Sequence, residues 1–231
     1  VDTAAADGYF DVVQWFHDNC DVSCTGSVID GAAKNGYLDV VKWLHEHCRE
    51  GNRNEGCTTL AMHWAALHGY MEVVEWLHEN RKEGCRRDTL KDCVIRGKLD
   101  IVKWLYTNKR EVSDLDGVID HAAGFGHLEL VRWFHENTNE RCTRAAMCRA
   151  AGNGHLSVVK WLHEHRREGC TTDAMDTAAM RGHLEVVKWL HANRDEGCTT
   201  EAMDGAVRGN HLGLVRWLCR HRSEGCTTSA I

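Results

Sequence analysis

The sequence contains no proline at all. No prolyl kink, cis turn or proline-rich linker can therefore shape it, and its turns fall to glycine, asparagine and other polar residues. It also lacks any apolar run of bilayer-spanning length, and nothing in its first residues reads as a basic-then-apolar leader, so no membrane partner is expected. Excess basic charge is missing too: 28 Lys and Arg face 34 Asp and Glu, a net charge of −6 over 231 residues. Such a chain offers little electrostatic help for nucleic acid or an anionic surface, and neither is an expected partner. No Cys-x-x-Cys pair, phosphate loop, nucleophile elbow or paired-carboxylate motif occurs, so no catalytic residue, cofactor or small-molecule substrate is expected. The Gly pairs at 124/126 and 152/154 lack the preceding strand that a dinucleotide site requires.

What the chain does have is period. Eight of its nine Trp stand at 15, 43, 76, 104, 133, 161, 189 and 217, spaced by 28 residues except for one step of 33 and one of 29. A fixed period of this kind means stacked supersecondary units that cannot bury their apolar faces alone. The longer step comes from an insertion between Cys48 and Gly56, polar enough to be an exposed loop, and the shorter one from a single residue between Tyr106 and Asp114. One clean unit runs from Cys170 to Gly197. Within it a first helix is expected to start at Thr172 or Asp173 and stop at Gly182. That glycine recurs in every unit until Asn210 replaces it, which marks a left-handed helix-closing position. A second helix begins near His183 and sets Leu184, Val186, Val187, Trp189 and Leu190 on a wide apolar face, with Glu185 and Lys188 on the solvated side.

The segments Asp173–Ala179 and Gly182–Val187, and most closely Ala61-Met62-His63-Trp64-Ala65-Ala66, resemble the ankyrin repeat, whose signature is T-P-L-H-x-A-A followed by G-H-L-E-I-V. The resemblance covers essentially the whole chain and implies an all-α, helix-turn-helix repeat solenoid, an alpha horseshoe. Two departures qualify it: the signature proline is missing throughout, and the family period of about 33 contracts. The lost residues lie between helix pairs, near Arg194 to Cys198, so the projecting fingers of that family are expected to be short or absent. The chain reads as a single array over 1–231 with units 24–56, 57–84, 85–113, 114–141, 142–169, 170–197 and 198–225. Partial units at 1–23 and 226–231 leave both ends uncapped, as in a fragment of a longer array.

Seven of the 12 cysteines, at 24, 57, 85, 142, 170, 198 and 226, share one column that Asp114 interrupts. Neighbouring helices pack about 8–10 Å apart, too far for a disulfide ladder. The column reads as small buried side chains, and abundant free thiols point to a reducing, intracellular and cytoplasmic setting. Candidate metal clusters are His17, Cys20 and Cys24, and more loosely His45, His47, Cys48 and Cys57. They lack the spacing of known zinc motifs, and no metal is assigned. The His ladder at 17, 45, 78, 135, 163 and 191 reads as edge packing with one ring nitrogen bonded to the next unit. The Trp stripe reads as core.

Recognition is expected where units differ. One such column holds Trp64, His121 and Arg149, and the two columns before the turn glycine hold His68, Arg96, Phe125 and Arg181. By the ankyrin resemblance the first helices line a concave face, and these seven side chains would form a band along it, rich in aromatic and Arg anchors. The expected function is a protein-interaction module, acting as a monomer on a protein partner. The alternatives are a structural spacer within a longer repeat protein or, less favoured, a zinc- or redox-responsive array.

Overall fold

The computed structural model describes residues 1–20, 26–47, 57–108 and 115–228. The 48–56 insertion, Cys24, Cys48 and Asp114 lie outside the described residues. The described residues form sixteen helices and no strand. They fall into two compact units, Val1–Asp114 and Leu115–Ile231. The first holds α1 (Asp2–Ala6), α2 (Phe10–Asn19), α3 (Gly26–Lys34), α4 (Leu38–His47), α5 (Thr59–His68), α6 (Met71–Asn80), α7 (Thr89–Ile95) and α8 (Leu99–Asn108). The second holds α9 (Val118–Gly124), α10 (Leu128–Asn137), α11 (Arg144–Gly152), α12 (Leu156–His165), α13 (Asp173–Met180), α14 (Leu184–Asn193), α15 (Thr200–Arg208) and α16 (Leu212–His221). Each is a solenoid of ankyrin-type helix pairs. Among the described residues the connectors between pairs, such as 138–143 and 194–199, are short turns, and no finger projects from them.

Within each unit the odd-numbered helices pack closely on one another and form an inner row, while the even-numbered ones form a looser outer row. Small residues explain the difference: Ala150 and Ala151, or Ala178 and Ala179, are fully buried between neighbouring first helices. The outer helices close the core with one repeating set, as Val186, Val187 and Leu190 do in α14. The turn inside each pair needs its glycine. At Gly154, φ is +81°, and a Cβ would sit 2.6 Å from Nδ1 of His183 in the next repeat. In the column 127, 155, 183 and 211, the later histidines each lie over the preceding repeat's glycine. Asn210, the substitute, keeps a positive φ of 55°.

Two sets of polar ties join consecutive repeats. In the first, a buried Asp clasps the Thr that opens the next pair. Thr143 donates its N–H to Asp120 Oδ1 at 2.8 Å and its hydroxyl to Oδ2 at 2.6 Å, while its Oγ1 accepts from Ala145 N. Asp30 with Thr58, Asp176 with Thr199 and Asp204 with Thr227 repeat the arrangement. The cap in α5, α11 and α15 is thus one residue earlier than the sequence suggests. α13 follows the expected start, with Thr172 as its cap residue, and α7 and α9 begin after Asp88 and Gly117, in the column of Asp173.

In the second tie, the Arg that follows α6, α12, α14 and α16 reaches back to the His of the preceding repeat. Arg81 Nη1 lies 3.0 Å from His45 Nδ1 and Arg166 Nη1 3.1 Å from His135 Nδ1; Arg194 with His163 and Arg222 with His191 follow at 3.3 Å. A guanidinium only donates, so these nitrogens are acceptors. Each Arg also holds the Glu two residues on, and Arg166 Nε reaches Cys142 Sγ at 3.2 Å.

The tryptophans correct the core expectation. Trp161 is buried, but Trp15 is 57% exposed and the other ladder tryptophans are half-buried. The cause is helix phase: at 3.6 residues per turn, Trp189 lies about 100° from the centre of the Val186–Val187–Leu190 face, on its flank. There six of the rings meet the preceding repeat's His edge to face, at 5.2 Å between His135 and Trp161 and between His163 and Trp189. His45, His135, His163 and His191 also bond the next repeat, whereas His17 Nδ1 faces Asp18 and His78 Nδ1 is buried with no hydrogen-bond partner among the described residues.

Candidate functional site

The variable positions lie from the middle of the inner helices (Trp64, His121, Arg149) to their C-terminal ends (His68, Arg96, Phe125, Arg181). In the first unit, Trp64 follows buried His63 on α5 and is half-buried, with Lys34 Nζ 5.2 Å from its ring centroid. Its carbonyl accepts from His68 Nδ1 at 2.8 Å, and the His68 ring stacks toward Tyr70 at 6.2 Å. Trp64, His68, Tyr70 and Lys34 thus make one aromatic and cationic cluster. Arg96 is exposed at the end of α7, and its charge is felt by buried His63.

In the second unit, His121 is half-buried on α9, whereas Phe125 is 50% exposed and stacked toward His127. Arg149 is exposed on α11, its first side-chain carbon lying over Gly124. Arg181 donates to the Gly152 carbonyl at 3.3 Å and to Asn153 Oδ1, and Asn153 Nδ2 donates to the Gly124 carbonyl at 2.6 Å. This chain of bonds fixes Asn153 and Arg181 across three repeats. Met180 is 41% exposed beside Arg181. Lys34, Asn153 and Met180 were not among the residues expected from sequence. Each stands in a variable column, and that position was the available signal.

Of the candidate metal clusters, Cys24 and Cys48 lie outside the described residues. His17 faces Asp18 at 3.1 Å and the edge of Trp43. At the looser cluster, Arg81 occupies His45 Nδ1, and burial pushes the Cys57 thiol up to about 11. The structure instead gathers His63, Asp88 and Asp92, whose ligand atoms lie within 4.8 Å of one another. His63 is tied to Thr89 Oγ1 at 3.0 Å, and Arg86 grips both oxygens of Asp88 at 3.2 Å. The first bond links repeats, and the second leaves a cation to compete with an arginine. Other buried thiols behave like Cys57, with burial raising Cys170 to about 11 and Cys93 to about 12. These thiols offer no reactive thiolate near neutral pH.

Among the described residues, no helix is long and apolar enough to cross a membrane. The family model described as ankyrin repeats, three copies, matches this chain over residues 2–88, 29–116, 90–176 and 119–204. No curated protein matches it.

Proposed function

The chain belongs to the ankyrin repeat family, and from that premise we propose that it is a protein-interaction module whose inner helix ends meet a protein partner. One observation carries the reading. The positions that build the stack hardly change from repeat to repeat, whereas the helix ends next to them present Trp64, His68, Arg96, His121, Phe125, Arg149 and Arg181 outward or half-outward. Aromatic and Arg side chains on a rigid support are the anchors that interfaces use most, and the polar ties between repeats supply the rigidity. No substrate pocket or catalytic group enters this reading.

The test compares the chain with its Trp64→Ala/Phe125→Ala variant as bait in lysate, read by mass spectrometry, with circular dichroism as the control for fold. A partner retained by the first and lost by the second supports the reading. Identical partners for both would show that the helix ends are not the docking face and favour a spacer role instead.

A further inference from the structure

On the outer helices α10, α12 and α14 of the second unit both signs occur, and Arg132 pairs with Glu129 and Lys188 with Glu185, while α16 carries Arg216 and Arg220 alone. At the inner helix ends the charged side chains are Arg149, Arg181 and Arg208, with no carboxylate among them. Arg208 is paired with Glu201 at 2.8 Å. Arg149 and Arg181 have no carboxylate within ion-pair distance among the described residues; Arg181 is held by neutral acceptors. A helix C-terminus by itself favours a cation. It does not account for Phe125 and Met180, apolar side chains left 50% and 41% exposed in the same row of a chain whose net charge is −6.

We propose that the inner helix ends of the second unit bind an extended acidic peptide segment of the partner. Arg149 and Arg181 take its carboxylates, and Phe125 and Met180, two repeats apart, each receive an apolar side chain of the segment. Consecutive inner helices lie about 10 Å apart, and an extended chain rises about 3.3 Å per residue. A segment running along the row therefore meets a new repeat every third residue. Two carboxylates three residues apart, flanked by apolar residues, make the pattern that fits. Arg suits this role because its planar fork grips carboxylate with two bonds.

This inference rests on the reading of the inner face as a docking surface, and its test is separate from the capture experiment. The probe is a short fluorescent peptide with two Glu three residues apart, flanked by a Phe and a Leu, titrated by anisotropy against the whole chain. Peptides with Gln or Lys in place of Glu, and a short single-stranded DNA, run beside it. The Glu peptide is expected to bind, to weaken with added salt, and to lose about tenfold or more in the Arg149→Glu variant, which leaves the Arg181–Asn153 bonds intact. The Arg149→Glu/Arg181→Glu variant should abolish binding, and Lys160→Glu on the outer helix α12 should not change it. Equal binding of the Gln peptide, tighter binding of DNA, or indifference to the Arg variants would overturn the proposal. If Trp64→Ala/Phe125→Ala loses a partner while the Arg variants keep it, the docking reading stands and the acidic segment falls.

Discussion

Asp120 shows how much one buried side chain does in this fold. Both of its oxygens are occupied by Thr143, which in turn caps α11, so the carboxylate anchors one repeat and starts the next. Asp120→Ala should strand a buried N–H and weaken a cap, costing about 1–3 kcal/mol in urea unfolding. Asp120→Asn should cost less, because its oxygen still serves the N–H and the Thr hydroxyl can turn to accept. Equal loss in both would show that charge, not hydrogen bonding, makes the tie. The same clasp does not fix the same acidity. Burial raises Asp176, whose neighbours Asp173 and Glu201 oppose its charge, whereas the bonds from Thr227 lower Asp204.

At the scale of the helix pair, the turn couples backbone geometry to pH. Gly154→Ala places a Cβ at positive φ and against His183, so it should cost more than about 1 kcal/mol, read as a lower urea midpoint. Burial first, then the neighbouring charges of His127 and His183, hold His155 below its ordinary 6.5; burial and Arg181 do the same to His183. As pH falls, the unfolded chain takes up protons at these positions before the folded one does. Their contribution is complete above 6.5 and is lost as pH drops through the folded values. Glu196 acts lower on the scale: hydrogen bonds from Arg194 hold it to about 2 against an ordinary 4.5, so its contribution fades between those values. The urea midpoint should therefore fall in two stages on acidification. His155→Gln should shrink the upper stage and Glu196→Gln the lower; an unchanged upper stage in His155→Gln would remove the histidine column from the account.

Across the whole molecule, what is legible in the sequence is what is local. The period, the two helices of Cys170–Gly197 and the turn at Gly182 follow from 3.6-residue spacing and from glycine's freedom at positive φ. The Arg ties are less visible, since Arg166 finds His135 and Cys142 in another repeat. Their signal is nevertheless present, as Arg-x-Glu-Gly-Cys at 81–85, 166–170, 194–198 and 222–226. Trp189 misleads because its size argues for the core while its phase puts it on the flank. Phe125 and Arg149 can be singled out as variable, yet Asn153 gains its place only from bonds across three repeats. The thiol column offers a readout of the folded molecule as a whole. Cys219 and Cys226 are exposed, whereas Cys57, Cys93 and Cys170 are buried and held as thiols by that burial. Iodoacetamide at neutral pH should label Cys219 and Cys226 first. The buried three should follow only as the chain opens, at a rate that rises with urea, because the thiolate is the reacting form. Labelling of Cys93 as fast as that of Cys219, with no dependence on urea, would show that the inner stack is not closed around it.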